Sequence, residues 1–301
     1  EYVSTRVSPI ASLNLQADLS HMRIDTDSVS RTRRADGMTF LPEEGHASAD
    51  HFLPNVGGVF KPNRAWTLRV ARQDWIRPVS FNTLSPVATA GIPVDDVFTL
   101  PGGRLNRTKA QLEWETDKAL TTAWFDDKQI RNIAFDPFGP LNAATELADL
   151  SRLEQRSLQW LAQETLERTP RFGSGKVVEW GLSHERVLLD NLSLHLRYRL
   201  ANGENTRWFK QNALPYLARH QGSLGVMWLP APRWSIQAQA IYRSERFSDE
   251  ANNNLLHAGF DGTILSSWQT YRKDWQLDVY ARSLFNRDQP PGIGMAASYR
   301  F

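Results

Sequence analysis

Nucleophiles beside histidines are the first place to look for catalysis in this chain of 301 residues. Ser183-His184-Glu185 is the segment that brings a hydroxyl, an imidazole and a carboxylate together. It lies where apolar and polar residues alternate, and neighbouring residues of a β-strand point to opposite faces. Ser183 and His184 therefore cannot form a catalytic pair, and we predict no catalytic residues and no enzyme activity.

Histidines beside carboxylates are the second candidate, because both groups can bind metal ions. His46 and His51 flank Asp50 and follow Glu43 and Glu44, so weak metal binding there is an open alternative. No metal motif of known spacing occurs, and the chain has no Cys. We predict no metal site, no cofactor and no disulfide.

A larger set of charged and amide side chains occupies every second position of several segments. Residues 192–200 show the pattern, with Leu and Tyr alternating with Ser193, His195, Arg197 and Arg199. This period predicts β-strands with one polar and one apolar face. The polar residues that we expect to line an interior are Arg69, Lys109, Glu113, Glu179, His195, Arg197, Arg199, Gln237, Gln239, Arg243, Asp278 and Arg282. They form either a wet passage for polar or anionic solutes or a charge network that fills the interior.

Thirteen segments follow this strand pattern. Their approximate spans are 2–8, 13–22, 52–60, 65–74, 106–115, 119–129, 176–187, 192–200, 216–229, 234–243, 256–269, 275–284 and 292–301. Short turns join some pairs, whereas long polar connections, roughly 23–50, 74–106, 126–176, 201–215, 244–255 and 284–291, join the others. Short turns at one end and long loops at the other are typical of outer-membrane β-barrels.

Tryptophan is frequent, with 11 residues, and many of these residues lie beside the short turns. Indole prefers the membrane interface, where its ring meets acyl chains and its N–H group meets water. The predicted interface aromatics are Trp66, Trp114, Trp228, Trp234, Trp268 and Trp275. A soluble β-sandwich with a Trp-rich core is the alternative, but it does not explain why Trp gathers beside the turns of one edge.

Composition sets further limits. The net charge of +2 gives no reason to expect a nucleic-acid partner. No run approaches the ~18 consecutive apolar residues of a membrane helix. Membrane barrels escape that criterion, because only alternate residues of a strand face lipid.

Three stretches resemble the C-terminal barrel region of TonB-dependent outer-membrane receptors. Residues 277–286 resemble the penultimate strand, with Ser283 in place of the usual Asn. Residues 292–301 resemble the closing strand, in which Tyr299 and Phe301 supply the C-terminal aromatic signal for barrel assembly. Residues 56–71, followed by Arg77-Pro78, resemble a strand–turn–strand unit of these receptors.

The resemblance implies an integral protein of the Gram-negative outer membrane. Its implied partners are outer-membrane lipids, the barrel-assembly machinery, a periplasmic energy-coupling or repeat domain, and a polar or anionic solute. The implied function is transport of a polar solute or nutrient complex by a receptor-like barrel. An export barrel for polysaccharide or lipoprotein, fed by a periplasmic helical-repeat domain, and a general porin are the alternatives.

The predicted fold is all-β: a transmembrane antiparallel up-and-down β-barrel of about 14 strands (12–16), with short periplasmic turns and long extracellular loops. Residues 1–301 form one barrel domain. Single-chain bacterial barrels have even strand numbers. Thirteen strands therefore predict either a missed strand or the C-terminal part of a longer protein.

The long connection Pro78 to Arg104 has two interpretations. It is rich in Pro and Gly but also contains Val87, Ile92 and Phe98, which are apolar for an exposed loop. The loop either folds partly into the barrel as a constriction or stays on the surface.

Overall fold

The computed structural model describes residues 2–33, 40–77, 88–95, 99, 103–131, 172–207, 209–270, 275–285 and 291–299. For residues 2, 24–33 and 40–49 it describes the backbone alone. Among the described residues, no helix is long and apolar enough to cross a membrane.

The protein is built on one antiparallel sheet of thirteen strands, in which each strand pairs with its neighbours along the chain. The all-β prediction is confirmed. The strands of the sheet are β1 (Tyr2–Ile10), β2 (Leu13–Arg33), β3 (Phe40–Phe60), β4 (Trp66–Ile76), β7 (Arg104–Thr116), β8 (Ala119–Arg131), β9 (Ser174–Leu189), β10 (Leu192–Asn205), β11 (His220–Ala231), β12 (Trp234–Arg243), β15 (Gly259–Gln269), β16 (Trp275–Arg282) and β17 (Gly292–Tyr299).

Two small hairpins lie in the long connections. One pairs β5 (Ala88–Thr89) with β6 (Ile92–Pro93), and the other pairs β13 (Arg246–Phe247) with β14 (Leu255–Leu256). Both belong to connections that leave the sheet at the end opposite the short turns. The sequence pattern is too short at either place to predict a strand.

The predicted polar connection at 23–50 is wrong over most of its length. β2 and β3 pair continuously from Leu13↔Phe60 to Arg33↔Phe40. A strand needs a hydrogen-bonded partner more than it needs an apolar face, so a polar segment extends a ladder once its partner is in register. The two strands therefore continue beyond the apolar part of the sheet as one long hairpin.

The strand count is odd, and this sets the direction of the two sheet edges. Alternating directions over thirteen strands make β1 and β17 run the same way. Within the described residues no ladder joins β1 to β17. An antiparallel closure of these two edges onto each other is therefore excluded by direction.

The outward face of the sheet is an exposed apolar surface bounded by aromatic pairs. On β12 and β15, Trp234 pairs with Trp268 near the short turns, and Tyr242 pairs with Phe260 eight residues further along. Eight residues span about 27 Å along a strand. At a tilt of about 40° this is about 21 Å of height, close to the ~25 Å apolar band of outer-membrane barrels.

The six predicted interface tryptophans all project from the outward face near the short turns. Their exposed fractions range from 39% at Trp66 to 51% at Trp275. Trp66 stands opposite Trp114, with ring centroids 6.2 Å apart, and Trp275 stands 4.9 Å from Tyr299. Their position at a membrane interface stays a prediction, and Phe301 lies outside the described residues.

Ala238 lies on the outward face of β12, four residues from each of the aromatic residues Trp234 and Tyr242. Ala238→Arg should lower the free energy of unfolding by about 2–4 kcal/mol, because it puts a charge at the middle of the apolar band. Guanidinium unfolding in phospholipid vesicles measures this change. Gln239→Arg is the matched control, because its side chain projects from the opposite face; equal losses would mean that the two faces are assigned wrongly.

Candidate functional site

The polar residues of the sheet share the face opposite the exposed apolar one. Cross-strand pairs carry this face continuously around the sheet: Lys109 is opposite Asp126, and Asp126 is opposite Glu179. Arg199 is opposite Gln221, and Gln221 is opposite Arg243. We call this face the inner wall. It carries all twelve residues predicted from the sequence to line an interior, and their role in lining a passage stays a prediction.

One group on the inner wall is an ion pair between β4 and β7. Arg69 Nε and Nη2 donate to the two carboxylate oxygens of Glu113 at 3.0 and 3.3 Å. Gln111 Nε2 also donates to Glu113, at 2.7 Å. The fork of the guanidinium matches the carboxylate, so this pair has a defined geometry.

A second group is a buried ionic cluster on β7, β8, β9 and β10. Arg107 makes a two-pronged contact with Asp126 at 2.8 and 2.6 Å, and both side chains are at most 2% exposed. Lys128 lies 3.4 Å from Asp126, and Arg199 lies 3.6 Å from Glu179. Buried charges are tolerated when they are paired and hydrogen-bonded, and these are.

Sequence reasoning named Glu179 and Arg199 but missed Arg107, Asp126 and Lys128. The sequence could have indicated Arg107, because the alternation of inward and outward residues along β7 continues from Lys109 to Arg107. Asp126 and Lys128 lay where the predicted strand 119–129 overlaps the predicted connection 126–176, whereas β8 runs on to Arg131.

The remaining predicted wall residues lie outside this cluster. His195 Nδ1 is 3.2 Å from Glu185, and Gln276 donates to Asp278 at 2.9 Å. Of the other six residues, Gln237, Gln239 and Arg243 lie on β12 and Arg282 lies on β16. Lys109 of β7 and Arg197 of β10 lie beside the ring of Trp124.

The hairpin β5–β6 lies against the inner wall. Its turn places Ala90 (φ 52°) and Gly91 (φ 76°) in the left-handed region, as a two-residue hairpin turn requires. Thr89, Ala90 and Ile92 are at most 3% exposed. Part of the long connection 78–104 therefore folds inward, as one of the two interpretations of the sequence held. We call residues 88–95 the inner hairpin.

The inner hairpin is held by polar side chains of four strands of the sheet, which contact its backbone and the side chain of Asp95. Gly57 on β3 leaves the space for it, since a Cβ there would lie 2.8 Å from Ala90 Cβ. At the turn, Ala90 N donates to Gln16 Oε1 at 2.9 Å, and Arg69 Nη1 donates to Ala90 O at 3.1 Å. Further along, Gln73 Nε2 donates to Ile92 O and Arg107 Nη1 donates to Pro93 O, each at 2.9 Å. Lys128 Nζ donates to the carboxylate of Asp95 at 2.6 Å.

An apolar cap covers the inner wall at the long-loop end. Buried inward residues of the strands meet three residues from loops, Phe172, Leu214 and Leu217. The strand residues are Trp75, Leu105, Ile130, Val177 and Ala201. Gly175 makes room for Leu214, because a Cβ there would come within 2.8 Å of its Cδ2 atom.

The cap is fastened to the connection between β12 and β15. Asn252 exchanges two hydrogen bonds with the Ala213 backbone, at 2.9 and 3.0 Å. Gly173 N donates to Glu250 Oε1 at 3.1 Å, and Asn212 donates to the Glu250 carbonyl at 2.9 Å. Loops from three connections therefore form one unit over the wall.

The residues considered from the sequence as a catalytic pair or a metal site do not come together in the structure. Ser183 is on the inner wall and His184 is on the outward face, where it lies 2.9 Å from Thr121 Oγ1. His21 lies 3.5 Å from Asp50, and the side chain of His46 is outside the described part of the chain. Among the described residues there is no cluster of three or more metal-binding side chains.

No protein-family model matches the chain, and no curated protein matches it in sequence. Its fold is similar to that of several solved structures. The ferric yersiniabactin uptake receptor FyuA from Yersinia pestis has a TM-score of 0.65 at 9% identity, over 100% of this chain and 45% of the receptor. The ferric citrate transporter FecA has a TM-score of 0.62 at 14% identity, over 100% and 44%. The copper transporter OprC has a TM-score of 0.60 at 10% identity, over 98% and 46%.

These comparisons bear on the fold. The sheet has the architecture of an outer-membrane receptor barrel, as the resemblance in the sequence implied. The chain spans less than half the length of the three solved proteins.

The inner hairpin depends on Gly91. Gly91→Ala should lower the free energy of unfolding by about 1–2 kcal/mol, because the left-handed conformation disfavours a Cβ. The Cβ would also lie 2.5 Å from Arg69 Nη1. Gly259→Ala is the control, since a Cβ at Gly259 meets nothing within 4 Å. Denaturant unfolding in detergent compares them; equal stability of the two variants would contradict the inward packing of the turn.

The cap carries a titratable group. Burial raises the pKa of the Glu250 carboxyl above its ordinary value, against hydrogen bonds from Gly173 and Asn205 that favour the charged form. The unfolded chain has the ordinary pKa and the folded protein has the raised one. At a pH between the two, Glu250 of the folded protein holds a proton that the unfolded chain has released. The contribution of Glu250 to stability is therefore full below the ordinary pKa and is lost as pH rises through the raised pKa.

Glu250→Gln should flatten this decline in stability. Urea unfolding from about pH 4 to about pH 7 would show a smaller slope for the variant than for the wild type. Glu115→Gln, at an exposed side chain that forms no ion pair in the described part of the chain, is the control and should leave the slope unchanged. The same slope in Glu250→Gln and in the wild type would refute this role of Glu250.

Proposed function

We propose that the protein is an integral outer-membrane transport barrel of the receptor-like kind, which imports a polar solute or nutrient complex. Likeness in fold supports this, because the structures that match nearly the whole chain are of proteins named as iron and copper uptake receptors or transporters. The metal complexes in those names belong to those proteins. For this chain we propose the broader class of polar or anionic nutrient complexes.

The outward face supports a location in the membrane. Exposed apolar side chains cover it between the two aromatic levels, among them Leu68, Val70, Leu112, Leu182 and Val279, which are 38–49% exposed. Monomeric soluble proteins rarely expose a contiguous apolar surface of this size. Paired strands also satisfy the backbone hydrogen bonds that hydrocarbon leaves unmet.

The observation that carries the receptor-like proposal is the inner hairpin. It lies over the inner wall of β2 to β8, held there by polar side chains of Gln16, Arg69, Gln73, Arg107 and Lys128. A hairpin fastened over the wall narrows the passage, and this fits passage that requires a conformational change. We therefore propose dependence on a periplasmic energy-coupling partner.

The two sheet edges support a larger barrel. β1 and β17 run the same way, and in the described part of the chain each pairs with a single neighbour. An unpaired backbone group in hydrocarbon costs several kcal/mol. We propose that the thirteen strands form part of a barrel completed by an odd number of further strands. The outward aromatics Trp275 and Tyr299 beside one edge fit the proposed C-terminal signal that the assembly machinery recognises.

The test of transport uses a strain that lacks the gene and the same strain with the gene restored. Radiolabelled ferric and cupric chelates are offered with and without a protonophore. We expect restored accumulation of at least one chelate, abolished by the protonophore. Diffusion of small sugars and salts down their gradients, without energy dependence, would support a porin. Loss of surface polysaccharide in the deletion strain would support export.

A second prediction concerns the inner hairpin. Replacing residues 88–93 by a Gly/Ser linker of equal length should raise single-channel conductance in planar bilayers at least severalfold, because a flexible linker cannot keep the ordered contacts to the wall. An equal replacement of the turn at 61–65 is the control and should leave conductance unchanged. Equal conductance of both variants and the wild type would mean that the hairpin does not obstruct passage.

A further inference from the structure

An aromatic platform lies on the inner wall beside the ionic cluster. Trp124 of β8 lies over Gly181 of β9 and occupies the space that a side chain would need, since a Cβ at Gly181 would come within 1.9 Å of the indole Cζ2 atom. The indole Nε1 donates to Glu179 at 2.9 Å, which fixes the ring in its plane. The face of the ring away from Gly181 therefore points into the interior.

Two cations stand over this ring. Lys109 Nζ is 5.7 Å from the ring centroid, and Arg197 Cζ is 5.2 Å from it. Both distances are within the ~6 Å at which a cation is attracted by the ring. Lys109 is half-buried and Arg197 is exposed toward the interior.

The charges of this part of the wall do not balance. The buried cluster with Asp95, together with the two cations over Trp124, contains five cations and three carboxylates. Three of the cations pair with the carboxylates, as Arg107–Asp126, Lys128–Asp95 and Arg199–Glu179. Lys109 and Arg197 form no ion pair among the described residues. The surplus of positive charge is therefore located at the two cations over Trp124.

We propose that Lys109, Arg197 and Trp124 form a binding site for an oxyanion, the carboxylate or phosphate group of a solute. This proposal rests on the proposed function, because the oxyanion is taken to be part of the solute that the barrel transports. A guanidinium donates to such a group with two parallel hydrogen bonds, and an ammonium adds a point charge. The ring holds both cations at the wall without neutralising them, so they stay available.

The position of the site agrees with this role. The inner hairpin ends at Asp95, which pairs with Lys128, and the other end of the cluster is Arg199 with Gln221 at 2.6 Å. Arg197 lies two residues nearer the short turns than Arg199, on the same face of β10. An oxyanion there would meet charged side chains that the hairpin does not contact.

The test measures binding directly, on the protein purified in detergent. Isothermal titration with inorganic phosphate and with succinate, at fixed ionic strength, separates phosphate from carboxylate preference, and glucose is the uncharged probe. We expect at least one oxyanion to bind and glucose not to bind. Lys109→Gln with Arg197→Gln should weaken this binding at least about tenfold, since each cation makes a charge-assisted contact.

Control variants distinguish loss of this site from a general loss of positive charge or of packing. Lys118→Gln with Arg186→Gln removes two exposed charges away from the inner wall and should leave binding unchanged. Arg197→Lys keeps the charge but removes the fork, so binding should fall less than in the double variant. Gly181→Ala keeps both cations but displaces the ring, and it should weaken binding, whereas Gly222→Ala, where a Cβ meets only Arg197 O at 3.9 Å, should not.

Two outcomes overturn the proposal: no oxyanion binds to the wild type, or the double variant binds as well as the wild type. Heat-dependent mobility in gel electrophoresis confirms that each variant is folded. Failure of the transport proposal looks different, because oxyanions would then bind at this site while cells with and without the gene accumulate solute equally.

Discussion

The structure depends on one constraint: every backbone N–H and C=O group within hydrocarbon must be hydrogen-bonded inside the protein. An antiparallel sheet meets it by pairing each inner strand with two neighbours, and the eleven strands between β1 and β17 do so in chain order. Pairing also forces alternate residues to opposite faces. The apolar outward face and the polar inner wall are therefore two consequences of the same ladder.

A polar inner wall creates a second requirement, because charges removed from water need partners. The wall meets it with pairs between strands, such as Arg107 with Asp126, and with the inner hairpin, whose carbonyls accept from Arg69 and Gln73. The hairpin is therefore part of the charge network as well as a cover for it. The ion pairs of the cluster are what a charge network in the interior requires, and a wet passage along the rest of the wall stays a prediction.

The wall changes character along its height. Near the long loops it becomes apolar and packs against Phe172, Leu214 and Leu217. Small residues permit this packing: Gly175 and Gly203 leave the volume that the two leucines occupy. The same feature recurs where Gly181 lies under Trp124, so Gly175, Gly181 and Gly203 are positions at which a bulky side chain lies against the sheet.

The sequence by itself determined the strands, their two faces, the short turns and the level of the tryptophans, because these follow from period-two alternation and local turn chemistry. It determined neither the length of β2 and β3 nor the partners within the wall, because polar residues such as Asp126 look alike in a strand and in a loop. Only the tertiary structure brought Asp95 to Lys128 and Ala90 to Arg69, contacts that join segments separated by 33 and 21 residues. Such contacts depend on the curvature of the sheet and the path of a long connection, which no local pattern records.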